Sequence, residues 1–460
     1  MRRLRRHGWL LFAGVVALLA IASVTVASVR AHANGCIFND GTAYCHMAMG
    51  KLAPLAWSRR VVVPAVVSWL PHQWSVVDRF ELVALVAAAG ATIASGLLAY
   101  RIVRYRATPR LAYPAALCAA SVVAVSPHLF RLALTTPVLV DQAAIFFGLV
   151  WCLLATARTR WLRWMSPLLA LVLVPTREAW LLPLLLATGV MVRRRQRALA
   201  AATLVAALGG GVFTLTRPSA PGAYNDIIQI LHVGRLTLTR PDHALWSVAF
   251  GAGFAAFVAL PLLIRWRHLS APTGVVLAVA VGLLVQAPLG GVDISRYAAA
   301  ALPFGVVLAT AATVESGTSR GFWALVGLTA ATLLLWQPFR VTSPGASAYF
   351  AMYYPGQAST VIALGGLILV AAALIWVHRP DGATAGIAAG TIPSPSRSGR
   401  EQPVQPLPRG GEVLWTQRLD VGPRGASHRP PAIGVEREGL AKTREEPQEP
   451  QAGSRAGGSG

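Results

Sequence analysis

The chain alternates long apolar runs with short turns rich in arginine, and this alternation limits what it can fold into. The first run, LLFAGVVALLAIASVTVASV, has the length of a helix that crosses a bilayer. Further runs begin near residues 81, 111, 137, 167, 180, 199, 246, 272, 298, 322 and 361. Because the runs are apolar on all sides, amphipathic helices of a soluble protein are excluded. The pattern predicts an all-α polytopic membrane protein with about 12 transmembrane helices.

The turns between the runs indicate which way the chain faces. Arginine recurs on one side, in RIVRYRATPR, ARTRWLRW, RRRQR, RWRH, SGTSRG and HRP. Turns rich in arginine stay in the cytoplasm, so both termini are predicted to be cytoplasmic and the protein to be multi-pass in the plasma membrane. The arginines that give the chain its formal net charge of +23 lie beside apolar runs in this way. Membrane lipids are therefore expected partners, and nucleic acid is not.

Composition divides the chain into a membrane domain, 1–378, and a tail, 379–460. The first outer loop of that domain spans 30–80. The tail is rich in Pro, Gly, Ser, Arg and Glu and cannot form an apolar core, so we expect a disordered cytoplasmic segment. The sequence AHA at 31–33 also fits a signal-peptide cleavage site, but the first run is longer than the usual apolar region of about 7–15 residues, which favours an uncleaved helix.

Acidic residues before the tail are distributed unequally between the two sides. On this topology all but Glu315 lie in outer loops or near outer helix ends, namely Asp40, Asp78, Glu81, Asp141, Glu178, Asp226, Asp242 and Asp293. Ionisable groups at membrane depth cost about 2.5–3.5 kcal/mol each and usually mark function. The distribution predicts a polar site on the extracytoplasmic face.

Three groups of these residues are candidates for that site. Asp141 is predicted to lie about one turn inside an apolar helix, where it requires a cavity or an arginine partner, for structure or for substrate binding. Arg177 and Glu178 stand between two short runs that Pro175 separates, and they could equally pin a helix end. A third group places Asp293, Arg296 and Tyr297 at an outer helix end, where Asp293 suits the helix dipole and Arg296 could bind a phosphate. All three groups share the outer face.

The stretch CIFNDGTAYCHMAMG, 36–50, opens the first outer loop. Cys36 and Cys45 could form a disulfide if that loop faces an oxidising compartment. Asn39, Asp40 and Gly41 alone are typical of a turn. His46 with Asp40 is weak support for a divalent metal, because most metal sites have more ligands. No cofactor is therefore assigned. The stretch PLAWSRRVVVPAVVSWLPHQW that follows contains an apolar segment too short to span. It carries Arg at one end and Trp at the other, which predicts an interfacial helix.

Four short motifs together resemble the GT-C superfamily of polytopic membrane glycosyltransferases. They are DGTAYCHMAMG, RRVVVPAVVSWLP, TREAW and DISRYAAAALPF. The resemblance implies transfer of a sugar from a polyprenyl-phosphate donor to a glycan, lipid or protein acceptor on the outer face. Asp40 would then be the catalytic base. Arginines would bind the donor phosphate, whose charge grows as the bond breaks; the candidates are Arg59, Arg60, Arg177 and Arg296.

The remaining candidates for substrate binding are Tyr44, Asp141, Glu178, Asp293 and Tyr297. Members of the superfamily often have paired acids in the first loop, whereas this chain has Asn39 beside Asp40. A second carboxylate, where one is needed, would come from Asp141 or Glu178. A lipid-sugar transporter and a non-catalytic protein of envelope assembly are the alternative functions, although a transporter requires polar residues accessible from both faces.

Overall fold

A computed structural model describes the part of the chain that carries the candidate site. The described residues are 36, 39–106, 109–126, 129–130, 132–136, 138–220, 251–289, 294–316, 319–336 and 357–378, with a few single positions between 231 and 248. All belong to one unit of the chain, Met1–Gly390. The first apolar run and the tail predicted to be disordered lie outside the described residues.

Helices dominate this structure, and strands are absent from the described ranges. The first half contains α1 Asn39–Ala48, α2 Leu55–Ser58, α3 Val62–Ser68, α4 Val76–Arg106, α5 Pro109–Ala124, α6 Leu132–Thr135, α7 Asp141–Ala155, α8 Arg160–Trp164 and α9 Ser166–Thr176. The second contains α10 Leu181–Arg193, α11 Arg197–Leu215, α12 Pro261–Ile264, α13 Ala271–Gln286, α14 Ile294–Ala299, α15 Leu302–Ser316, α16 Ser319–Trp336 and α17 Gln357–His378. The all-α prediction is confirmed for this part.

Two of these helices are long and apolar enough to cross a membrane, by length and composition. They are Val76–Tyr105 and Arg197–Leu215. Six shorter apolar helices, of 10–17 residues, accompany them. The prediction of about 12 spans is not confirmed by these lengths. The two short apolar runs on either side of Pro175 form two short helices, α9 and α10.

Small residues allow the helices to approach closely. Gly282 on α13 lies against Pro183 on α10, where an added Cβ atom would come 2.6 Å from the proline Cα. Gly96 on α4 faces the backbone of α5 at Ala116 in the same way, at 3.1 Å. Alanine and glycine at such contacts are typical of helices that pack in membranes. The result is one core around α4, α5, α7, α10, α13 and α15.

A second, smaller core packs part of the segment 39–80 at one end of the bundle. It contains Tyr44 of α1, Val67 of α3, Phe80 of α4 and Val140 just before α7, all buried. The stretch 39–41 begins a helix rather than a turn, so the turn prediction was wrong. Burial of the inward face of α1 and the Cys36–Cys45 disulfide outweigh the turn preference of Asn39, Asp40 and Gly41.

The predicted interfacial helix also differs from the observed one. The segment from Leu55 to Ser68 forms two short helices, α2 and α3, interrupted at Arg59 and Arg60. Val63, Pro64 and Val67 of α3 are buried in the protein. Trp69, the residue directly after α3, is strongly exposed. Arg59 and Arg60 therefore lie between the two helices and belong to neither.

Candidate functional site

Asp40 is positioned by the first turn of α1. The disulfide between Cys36 and Cys45 ties the second turn of α1 to Cys36 ahead of the helix, and the Thr42 hydroxyl of the first turn donates a hydrogen bond to the Cys36 carbonyl at 2.6 Å. A carboxylate in the first turn is also stabilised by the helix dipole. The local sequence thus fixes the direction of the Asp40 side chain.

Two residues distant in sequence donate hydrogen bonds to the Asp40 carboxylate. The Trp57 indole Nε1 donates to Oδ1 at 2.7 Å, and Arg296 Nη1 donates to Oδ2 at 3.1 Å. The Asp40 side chain nevertheless stays 30% exposed. A carboxylate has about four acceptor positions, so Asp40 can accept a further hydrogen bond from a group on its exposed side.

Asp141 begins α7 rather than lying one turn inside it, and it is buried between two arginines. Arg296 Nε donates to Asp141 Oδ2 at 2.7 Å, and Arg177 pairs with Asp141 Oδ1. The side chains of all three are 5% exposed or less. A lone buried carboxylate is costly, and the two guanidinium groups offset that cost. Arg296 therefore bridges Asp40 and Asp141.

The break between α9 and α10 points two neighbouring side chains toward different partners. α9 ends at Thr176, directly after Pro175, and Arg177 takes an extended conformation before a short 3₁₀ helix, Glu178–Trp180. Arg177 turns to Asp141, whereas Glu178 accepts hydrogen bonds from Arg60. The two thus contact different elements, α7 and the first loop.

Arg60 joins the first loop to that break. Its Nε donates to Glu178 Oε2 at 2.9 Å, its Nη2 to Oε1 at 2.5 Å, and its Nη1 to the Tyr44 hydroxyl at 2.8 Å. Tyr44 is fully buried and lies one turn after Asp40 on α1. Bidentate pairs of this kind fix geometry as well as charge. Arg60 therefore ties α1 to the start of α10.

A small cavity adjoins Arg177 on the other side of the cluster. Its lining includes Arg177, Trp180, Gln286 and Tyr297, and its volume is about 10 Å³, close to the room of one water molecule. The Arg177 guanidinium lies 4.4 Å from the centre of the Tyr297 ring. Arg177 Nη2 is buried and has no hydrogen-bond partner among the described residues. This buried donor is available to a small polar or anionic group.

The arrangement shifts the pKa values of the acids that face the first loop. Burial opposes ionisation of Asp40, but Arg296, Arg60 and the Trp57 hydrogen bond outweigh it and lower the pKa of Asp40 below its ordinary value. Burial likewise opposes ionisation of Glu178, yet the charge of Arg60 lowers its pKa to about 2. Both carboxylates are therefore ionised at neutral pH.

The other candidates lie elsewhere or outside the described residues. Arg59 is half-buried beside Arg60. Asp293 belongs to the residues that the structure does not describe. Within the described ranges, no group of three or more His, Cys, Asp or Glu side chains could hold a metal, and His46 lies in none.

Trp57 is the residue of this site that the sequence did not reveal. An outer-loop tryptophan fits an interfacial aromatic belt equally well, so its hydrogen bond to Asp40 could not be read from the sequence. Its position before the two loop arginines, in AWSRR, was the one available signal.

No protein-family model, curated protein or solved structure matches this chain. The resemblance to the GT-C superfamily consequently rests on the four short motifs. Each motif contributes side chains to the contacts around Asp40, Asp141 and Glu178. The first contributes Asp40 and Tyr44, the second Arg60, the third Arg177 and Glu178, and the fourth Arg296.

Proposed function

We propose that the chain is a multi-pass membrane glycosyltransferase of the plasma membrane that moves a sugar from a polyprenyl-phosphate donor to an acceptor on the extracytoplasmic face. One observation carries this proposal. A partly exposed carboxylate, Asp40, lies beside two buried arginines from distant parts of the chain, Arg60 and Arg296. Arg296 also binds Asp141, which pairs with a third buried arginine, Arg177. A proton acceptor beside phosphate-binding cations is what this reaction requires.

The disulfide supports the placement of this site on the outer face. Disulfides persist in oxidising compartments and are rare in the cytosol. Cys36 and Cys45 lie on either side of Asp40. The arginine-rich turns come at the other ends of α4, α7 and α10, which agrees with a cytoplasmic position for them.

In the proposed reaction Asp40 removes the proton from an acceptor hydroxyl while that oxygen bonds to the sugar's anomeric carbon. The bond from that carbon to the phosphate oxygen breaks, and the polyprenyl phosphate leaves with the electron pair. Arg177 and Arg296 stabilise the charge that grows on the phosphate. Substrates approach from the side where Asp40 and Glu178 are exposed, by 30% and 38% of their side chains.

The test is transfer of a labelled hexose or pentose from synthetic polyprenyl-phosphate sugars by the purified chain in membranes. Asp40→Asn should abolish transfer, because the amide cannot accept the proton. The control is Asp78→Asn, an exposed acid in the first turn of α4, which should leave transfer unchanged. Full activity of a folded Asp40→Asn protein would exclude Asp40 as the base.

A non-catalytic role in envelope assembly is the second candidate, and the pairing of charges favours it. Asp40, Asp141 and Glu178 each contact an arginine of the site, as in a network that serves only to hold helices together. That role predicts loss of stability in Asp40→Asn with no transfer by the unmodified protein. The activity assay and a thermal melt of the same samples distinguish the two functions.

A further inference from the structure

Two turns at the other end of the bundle form a strongly basic surface. They contain residues 193–197, between α10 and α11, and residues 265–268, between α12 and α13; together they are called the basic turn pair. Its exposed cationic side chains are Arg193, Arg195, Arg197, Arg265, Arg267 and His268. The surrounding segments 191–200 and 261–271 hold no aspartate or glutamate. No carboxylate of these segments neutralises this charge.

An indole ring organises part of the basic turn pair. The Arg193 guanidinium lies 4.3 Å from the centre of the Trp266 ring, and that of Arg267 lies 5.8 Å from the same ring. Arg194 joins the two turns through a hydrogen bond to the Leu269 carbonyl. Stacking on an aromatic face holds a guanidinium in place while its N–H edge stays free to bind an anion.

Two arginines of the basic turn pair occupy positions that local structure disfavours. Arg195 has a left-handed backbone, with φ 61°, at the position after α10 where glycine is preferred. The hydrogen bonds from Arg195 N to Val192 O and from Gln196 N to Met191 O complete that helix end. Arg197 begins α11, where the helix dipole disfavours a cation. Helix stability therefore does not account for the charge at these positions.

We propose that the basic turn pair is a binding site for the headgroup of an anionic phospholipid such as phosphatidylglycerol. α11 is one of the two helices long enough to cross a membrane, and Arg197 is its first residue. The basic turn pair thus lies at the level of the lipid headgroups, where basic clusters bind anionic lipid. This inference rests on the proposed membrane placement and not on the proposed enzymatic activity.

The experiment uses the full chain, purified in neutral detergent and offered phosphatidylglycerol and phosphatidylcholine together, with retained lipid measured by native mass spectrometry. Unmodified protein should retain phosphatidylglycerol preferentially. The double variant Arg193→Gln with Arg267→Gln should reduce that retention roughly ten- to thirtyfold, at about 1 kcal/mol for each arginine near the surface. The control Arg158→Gln with Arg160→Gln removes equal exposed charge from another turn and should retain the lipid.

Arg195→Gly keeps the test informative if the double variant does not fold. Glycine suits the left-handed backbone, so this variant should melt no lower than the unmodified protein, yet retain roughly fivefold less phosphatidylglycerol. Equal losses in the control variant, displacement of the lipid by inorganic phosphate, or no preference by the unmodified protein would each overturn the proposal. The lipid assay needs no sugar donor, so its failure is distinguishable from failure of the proposed transferase activity.

Discussion

Asp40 accepts one hydrogen bond, from Trp57, that a substitution can remove with little change in side-chain shape. Trp57→Phe deletes the indole donor at Oδ1 and keeps an aromatic ring in place. Since that bond stabilises the ionised carboxylate, its loss should raise the pKa of Asp40. We expect the acidic limb of the rate–pH profile for sugar transfer to move to higher pH.

The control for this change is Trp69→Phe, which alters a tryptophan that is 82% exposed at the end of α3. Its profile should match that of the unmodified protein. Equal profiles for Trp57→Phe and the unmodified protein would show that the indole does not act on the carboxylate.

Glu178 makes stability depend on pH. Its folded pKa of about 2 lies below the ordinary value of 4.5, so its contribution is full above pH 4.5 and is lost as the pH falls through about 2. Lowering the pH through that window should lower Tm in detergent. In Glu178→Gln the decline should be shallower, and thermal melts at several pH values measure the difference. An unchanged decline would mean that other acids dominate it.

At the scale of residues, the sequence identified the charged side chains but not their pairing. Asp40, Asp141, Arg177 and Arg296 could be selected because acids and arginines in apolar surroundings are costly. That Arg177 and Glu178 turn to different partners depends on the backbone after Pro175. Pairing of this kind is decided by tertiary packing.

The crossing of α10 and α13 determines where Arg177 and Glu178 are held, because α10 begins just after them. Gly282→Ala places a Cβ atom 2.6 Å from the Pro183 Cα, where neither backbone can yield easily. We expect a loss of about 1–3 kcal/mol in stability, typical of overpacking, seen as a lower Tm.

Gly211→Ala on α11 is the matched control for that crossing. No atom lies within 4 Å of an added Cβ there, and alanine favours a helix over glycine by about 1 kcal/mol. Its Tm should be unchanged or higher. A fall as large as that of Gly282→Ala would point to a general effect of the added methyl group.

Among the elements, the apolar helices could be predicted and the short polar ones could not. Starts predicted near 111, 167, 199 and 272 lie within two residues of those of α5, α9, α11 and α13, because a long apolar run has few other ways to fold. α1 has a polar, turn-forming sequence. It is a helix because its inward face packs against α3 and α4, information that no local pattern contains.

For the whole molecule, the proposed topology places the site and the arginine-rich turns on opposite sides of the membrane. Gln73→Cys and Arg160→Cys add an exposed thiol at each end, while Cys118 and Cys152 are buried. In intact cells a membrane-impermeant maleimide should label Gln73→Cys, and should label Arg160→Cys only after permeabilisation. Labelling of both from outside would contradict the topology.

The bond between Asp40 and Arg296 spans 256 residues of sequence, and this distance has a consequence for biosynthesis. A ribosome adding about 5–20 residues per second needs about 10–50 s after Asp40 before Arg296 exists. During that interval Trp57 and the disulfide can already orient Asp40, whereas Asp141 depends on Arg177 alone. The site is therefore completed late in synthesis, and a chain released before residue 296 would carry Asp40 and Asp141 without the cation that joins them.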